Sequence, residues 1–381
     1  MKRTGLVILV LGLGISAQLA LADWGPVKRL TWTAGDSRSP AIAVDSGGHI
    51  HVVWHDMTPG NLEIYHKTSS NGGATWSANQ RLTWNPGYSY YPDIAIDSGD
   101  TIHVVWNDGS TDNIELLYRS STDGGATWSP AQRITWTSGS SFHPAIAIDS
   151  QDAIHVVWQD LVSGFFEIFY KNSADGGATW SAAKRLTWTS GNSNRPAIGI
   201  AGNDAIHVAW QDYVLGNFNI YYRSSADGGA TWGARRRVTW TSAWSDTPTL
   251  CTDSSNAIHM AWQDITPGNY EIYYRNSADG VSWSAPKRLT WNSGESSDPV
   301  VVRGPGDTLH LAWYDNPSGN REVYYKKSTD GGVSWGAAQR LTWTSDHSHI
   351  PAMAVDSSGA VHIVWQEDTP GNEEIYYRKD S

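Results

Sequence analysis

The sequence predicts an all-β fold, a seven-bladed β-propeller of four-stranded antiparallel blades, from three observations. The tetrapeptide R-(L/I/V)-T-W begins at Arg29, Arg81, Arg133, Arg185, Arg237, Arg288 and Arg340, at intervals of 52 residues with one of 51. Each interval holds four short apolar runs separated by Gly, Asp, Asn and Pro turns, with no helical period, and four strands per unit of about 50 residues make a propeller blade. The last unit stops after its third strand, and the N-terminal segment carries the missing fourth.

In chain order, the first element is a leader. Lys2 and Arg3 precede an apolar stretch from Leu6 to Leu21, and Ala20-Leu21-Ala22 has the small-x-small pattern of a cleavage site. We expect a signal peptide over 1–22, export to an extracellular or periplasmic compartment, and a single propeller over 23–381. No later apolar run has the length of a membrane helix, so no membrane insertion is expected. Trp24–Thr31 follows. Trp24 precedes Arg29 by five residues, as Trp76 precedes Arg81, so this segment reads as the outer strand of the seventh blade. It closes the ring and removes an open sheet edge.

The strands of each blade are labelled A to D. In the third unit A is Pro144–Asp149, B is Ile154–Asp160, C is Glu167–Lys171 and D is Trp180–Thr187. Of the 22 tryptophans, seven fall in strand B, seven in R-L-T-W and six at the close of the C–D turns, with Trp24 and Trp244 left over. Large rigid rings at such positions are expected to pack between blades.

Without Lys2 and Arg3, the 25 remaining basic residues face 38 acidic ones, a formal net charge of −13. That surface repels phosphate backbones and anionic lipid, so nucleic acid is excluded as a partner. The lone cysteine, Cys251, stands where other repeats have Ala43, Ala95 and Ala147, and reads as a small packed side chain. No cofactor motif or H-x-x-x-H spacing occurs, so neither cofactor nor metal is expected. Oligomeric state is left open.

The C–D turns read Ser69–Trp76, Ser121–Trp128, Ser173–Trp180, Ser225–Trp232, Ser277–Trp283 and Ser328–Trp335. They resemble the Asp-box (BNR) motif, S/T-x-D-x-G-x-x-W, of sialidase-superfamily β-propellers. The box residues are Asn71, Asp123, Asp175, Asp227, Asp279 and Asp330. A carboxylate or amide oxygen there accepts N–H groups across a tight turn, and glycine supplies a positive φ, which makes the box a stabiliser of the fold. Strand direction puts these turns on one face, the bottom, and the D–A and B–C loops on the other, the top.

The top is where the repeats differ. The D–A segments read AGDSRSP, PGYSYYP, SGSSFHP, SGNSNRP, SAWSDTP, SGESSDP and SDHSHIP, with Ser and Pro fixed. Aromatic residues gather in blades 2 to 5 and acids in blades 6, 7 and 1. The candidate ligand-binding residues are Tyr88, Tyr90, Tyr91, Phe142, His143, Asn194, Arg195, Tyr213, Trp244, Asp246, Asp298, His347 and His349. Exposed rings beside Asn, His and Arg suit stacking on sugars, and equally suit an extracellular protein contact; drift of unconstrained loops is the alternative.

The resemblance implies a further reading, an exo-glycosidase of the sialidase kind, in which three arginines hold the substrate carboxylate while Tyr, Glu and Asp carry the chemistry. Arg38, Arg195 and Arg321 are the top-loop arginines. The (F/Y)-R-I-P segment usual in that family has no match, Asn194-Arg195-Pro196-Ala197 coming nearest, and the near-identity of the units also argues for a non-catalytic binding propeller. A structural cell-surface protein is a third reading. Constant rings complete the pattern: a histidine within every strand B (His51 to His362), a carboxylate at its end (Asp56 to Glu367), and a near-ring from Glu63 to Glu374 broken by Asn219. The histidines read as structural. The acids at the end of strand B suit either seven equivalent sites or hydrogen-bond acceptors for loop N–H groups.

Overall fold

Strand B lacks the polar-apolar alternation of a half-exposed strand, because the neighbouring blades cover both of its faces. Every residue of Ile50–Asp56, Ile102–Asp108 and Ile258–Asp264 is buried. In the computed structural model, which describes residues 24–214, 216–317, 319–369 and 371–380, seven four-stranded antiparallel sheets surround one axis. The leader expected over 1–22 lies outside the described residues. Each hydrophobic cluster bridges two blades: Leu30, Ile375 and Tyr377 of the seventh pack with Ile50, Val52 and Trp54 of the first.

Strands A line the axis as Ser37–Val44, Ser89–Ile96, Ser141–Ile148, Ser193–Ile200, Ser245–Thr252, Ser296–Arg303 and Ser348–Val355. Lys28–Arg29 pairs antiparallel with Asn372–Lys379, so the N-terminal segment closes the seventh blade.

Strand D is shorter than the sequence suggests. In blade 3 only Lys184–Arg185 pair with strand C, because Trp180 turns away to pack edge-on against Tyr118 of blade 2, ring centroids 5.3 Å apart. The R-L-T-W segment then locks to strand C: Arg185 Nη2 donates to the buried Glu167 at 2.7 Å, and Thr187 Oγ1 accepts the Ile168 N–H at 2.8 Å. The near-ring of acids therefore serves as blade clamps, with Asn219 accepting from Arg237 in the fourth blade. Strand-B histidines sit in inter-blade relays. His103 joins Asp97 at 3.1 Å to Tyr118 Oη at 2.7 Å, and that hydroxyl donates to Gly176 O in the next blade's box.

Asp175 accepts from Thr179 N at 2.8 Å, Thr179 Oγ1 at 2.5 Å and Ser173 Oγ at 2.8 Å, and these bonds hold its carboxyl down at about 2. Cys251 packs against the cluster between blades 5 and 6, where burial pushes its thiol up to about 12. The tryptophans divide into unlike groups. Those of strand B are buried, whereas the R-L-T-W set, expected between blades, is 64–69 % exposed, because strand D is outermost and no sheet covers its outer face.

Candidate functional site

Strand A begins three residues earlier than the third unit suggests, so half of each D–A segment belongs to the inner strand. In every blade the register shifts before the fixed proline, as between Phe142 and Ala145. The residue preceding that proline takes a left-handed conformation: Ser39, Tyr91, His143, Arg195, Thr247, Asp298 and Ile350 all have φ of 49–51°. Non-glycine residues avoid this region, which costs on the order of 1–3 kcal/mol per residue and tends to mark functional sites. Glutamines of strand B in the preceding blade hold the strained backbone. The N–H groups of Arg195, Thr247, Asp298 and Ser39 donate to Gln159, Gln211, Gln263 and Gln366 at 2.8–2.9 Å.

This bulge turns seven side chains, no two alike, onto one spot. With their prolines they line a cavity of about 390 Å³ at the top of the axial channel. On one side the Tyr91 and His143 rings lie 4.7 Å apart, and His55 meets Tyr91 edge-on at 5.7 Å. Burial and the Arg195 charge hold the His143 imidazole down at about 4, so it is neutral at pH 7. Opposite, Arg195 Nη1 stands 3.8 Å from Asp298 Oδ1 and 3.5 Å from Thr247 Oγ1. Burial pushes the Asp298 carboxyl up, against the pull of Arg195 and Arg321.

Below the ring, Asp93 occupies the position that Ala41, Ala145, Ala197, Thr249, Val300 and Ala352 fill in other blades. It accepts the N–H groups of Ile94 and Ile146 at 2.9 Å, yet burial raises its carboxyl to about 6. Asp246, raised to about 6 by burial, accepts from Tyr270 Oη at 3.2 Å.

Of the residues singled out from sequence, Tyr91, His143, Arg195 and Asp298 meet at this mouth. Ser39, Asp93, Thr247 and Ile350 were missed; the signal was the position before each fixed proline, together with one acid among small uncharged residues. The remaining candidates lie apart from the mouth. Tyr88 is exposed on its loop, Tyr90 lies against Tyr91, Phe142 packs on Phe166, and Asn194 pairs in register with Gln211. Tyr213 and Trp244 flank Phe218 in an aromatic cluster, and His347 accepts the Arg321 N–H at 3.0 Å.

The arginines do not converge. Arg38 is paired with Asp36 and Glu373, and Arg321 lies over the Tyr314 ring at 5.1 Å, so only Arg195 reaches the cavity. Among the described residues one group has metal-ligand spacing, His349 with Asp368 and Glu373, but Arg38 already neutralises Glu373. The strand-B acids accept the fixed serines, as Asp56 does from Ser37 at 2.6 Å and Asp264 from Ser245 at 2.7 Å.

The sequence matches two family models, a BNR repeat-like domain over residues 22–209 and a BNR repeat-containing family member over residues 184–381. No curated protein matches it. Among solved structures, a PL25 ulvan lyase, a polysaccharide lyase bound to -[GlcA(1-4)Rha3S]-, aligns with TM-score 0.67 at 11% identity, covering 92% of this chain and 95% of the lyase. The α-L-arabinanase of Penicillium chrysogenum, complexed with arabinobiose, aligns at 0.55 and 15% identity over 92% and 98%. A Hadza microbial sialidase aligns at 0.53 and 15% identity over 84% and 73%. At these identities the likeness is one of fold. Among the described residues no helix is long and apolar enough to cross a membrane.

Proposed function

We propose that this chain, which belongs to the BNR repeat-containing family, is an exported propeller that recognises carbohydrate at the mouth of its central channel. One observation carries the reading: seven equivalent backbone positions, all held in the same strained conformation, deliver Ser, Tyr, His, Arg, Thr, Asp and Ile to one cavity. Drift of loop tips has no reason to respect a strained conformation in every blade. The Tyr91 face suits the apolar side of a sugar ring, and Arg195 suits a carboxylate or sulfate on it. The aligned ulvan lyase and arabinanase are themselves carbohydrate-bound proteins of the same fold. The sialidase-like alternative is weaker, because its three arginines do not meet; an extracellular protein partner remains the secondary reading for the exposed aromatic cluster around Trp244.

The Tyr91–His143 pair favours a second reading, catalysis at the same mouth. A neutral imidazole beside a phenol can take and return a proton at neutral pH while Arg195 holds an acidic sugar. The test incubates the exported chain with neutral and uronic polysaccharides, following binding by calorimetry and cleavage by new reducing ends. Binding that falls in Arg195→Ala without new ends supports recognition alone. New ends lost in His143→Ala establish catalysis, and binding unchanged in both variants removes the channel mouth from consideration.

A further inference from the structure

The seven R-L-T-W tryptophans form a ring of exposed indoles on the outside of the molecule, away from the channel. Six of them lie beside a cation from strand C of the next blade: Lys67 Nζ is 5.8 Å from the Trp32 ring centre, Lys171 Nζ 5.3 Å from that of Trp136, and Arg275 Cζ 5.7 Å from that of Trp240. The strand-C cations clasp adjacent blades. Lys171 donates to Ile134 O at 2.6 Å and Arg223 to Leu186 O at 2.5 Å, each carbonyl two residues before the tryptophan. The clasp explains the cation; it leaves the indole in water.

Between blades 4 and 5 the indole borders a cavity of about 400 Å³ lined by Trp240, Trp262, Asp264, Tyr273, Arg275 and Pro286. That size lies within the usual range for small-molecule sites. The blade-4 counterpart of this cavity shows what such a cleft accepts. Arg235 stands where blade 5 has Pro286; its guanidinium lies over the Tyr221 ring at 4.6 Å and donates to the buried Asp212 at 2.8 Å. A flat group on the aromatic wall, with a donor to the carboxylate, is therefore a stable occupant.

We propose that the cleft between blades 4 and 5 is a saccharide subsite separate from the channel mouth, with Arg235 standing in for the sugar in blade 4. A pyranose or furanose offers an apolar C–H face to Tyr273, as the Arg235 guanidinium does to Tyr221, with Trp240 at its edge, a hydroxyl donor to Asp264 and acceptors to Arg275. The inference rests on the exposed indole and the Arg235 contact, and stands whether or not the channel mouth binds.

The test labels the full chain with 5-fluorotryptophan and assigns the Trp240 resonance by its loss in Trp240→Phe. Cellobiose, maltose and arabinobiose are then titrated and followed by fluorine NMR. The Trp240 signal is expected to move with at least one of the three, equally in wild type and in Arg195→Ala. Pro286→Arg, which copies the blade-4 arrangement and keeps Trp240, is expected to raise the dissociation constant at least tenfold with an unchanged melting temperature. A Trp240 signal that ignores all three sugars at tens of millimolar, or a shift retained in Pro286→Arg, overturns the proposal. If Pro286→Arg melts early, Arg235→Ala decides instead: opening the blade-4 cleft must add a second responsive indole, Trp188, and a silent Trp188 overturns the proposal.

Discussion

Asp93 is a carboxylate held where the chain otherwise tolerates only small side chains, and the sign of its effect on stability follows from its proton affinity. Its folded value of about 6 lies above the ordinary 3.8, so the folded state binds the proton more tightly than the unfolded chain. The resulting destabilisation is absent below about pH 4 and complete above about pH 7. Asp93→Ala, which installs the residue that four other blades carry there, is therefore expected to gain on wild type by more at pH 8 than at pH 4; calorimetric scans at the two values decide it, and a pH-independent difference would refute the assignment. Arg195 makes a second prediction at this scale. Among the described residues it is the one arginine lining the cavity, so Arg195→Ala is expected to weaken an acidic saccharide by roughly 10- to 100-fold, the worth of a charge-assisted contact of about 1.5–3 kcal/mol, while a neutral saccharide changes little. Equal losses for both ligands in a calorimetric titration would mean that Arg195 only supports the loop.

In the Asp box, two adjacent glycines of one turn have different reasons to be glycine. Gly176 has φ of 68° with open space where a Cβ would lie, whereas Gly177 has φ of 90° and a Cβ there would sit inside the Tyr118 ring of the preceding blade. Gly176→Ala is expected to cost only the left-handed strain, about 1–2 kcal/mol. Gly177→Ala adds overpacking of a further roughly 1–3 kcal/mol. Urea unfolding of the two variants measures the difference, and equal midpoints would show that the turn, not the blade contact, sets the requirement. The box was legible in sequence because its geometry is local: eight residues carry their own acceptor, glycines and anchor. So were the strand order and the closing strand, which follow from apolar runs and spacing. The bulge before each proline was not, since a residue in that place ordinarily stays extended, and the glutamines that stabilise the exception come from the neighbouring blade. The exposure of Trp240 and its six equivalents was hidden for the same reason. Strand and ring type were readable; which face another sheet would cover was not.

At the scale of the whole molecule, repetition and asymmetry occupy different radii. Clamps such as Arg185–Glu167, relays such as Asp97–His103–Tyr118 and boxes such as that of Asp175 recur around the ring, and the axis gathers seven unlike side chains at one point. Such a site exists only while the ring is closed, and closure depends on a short segment. Trp24 Nε1 donates to Gln339 at 2.8 Å and its ring meets Tyr325 edge-on at 5.0 Å. Arg29 pairs with Glu374 at 2.7 Å, Leu30 is buried, and the Ile375 N–H donates to Thr31 Oγ1 at 2.8 Å. Removing residues 24–31 takes away these contacts and exposes the edge of Asn372–Lys379, a template for pairing with another chain. The truncated protein is expected to melt on the order of 10 °C lower, since each kcal/mol lost is worth a few degrees in a chain of this size, and to self-associate in sizing experiments. Because the first and seventh blades both border the channel, ligand binding at the mouth should disappear with closure even though Tyr91, His143, Arg195 and Asp298 lie in blades 2, 3, 4 and 6. Adding a peptide of residues 24–33 in trans should restore the sizing profile and the binding together. A truncated chain that stays monomeric and binds normally would show that six complete blades hold the channel open without the seventh clasp.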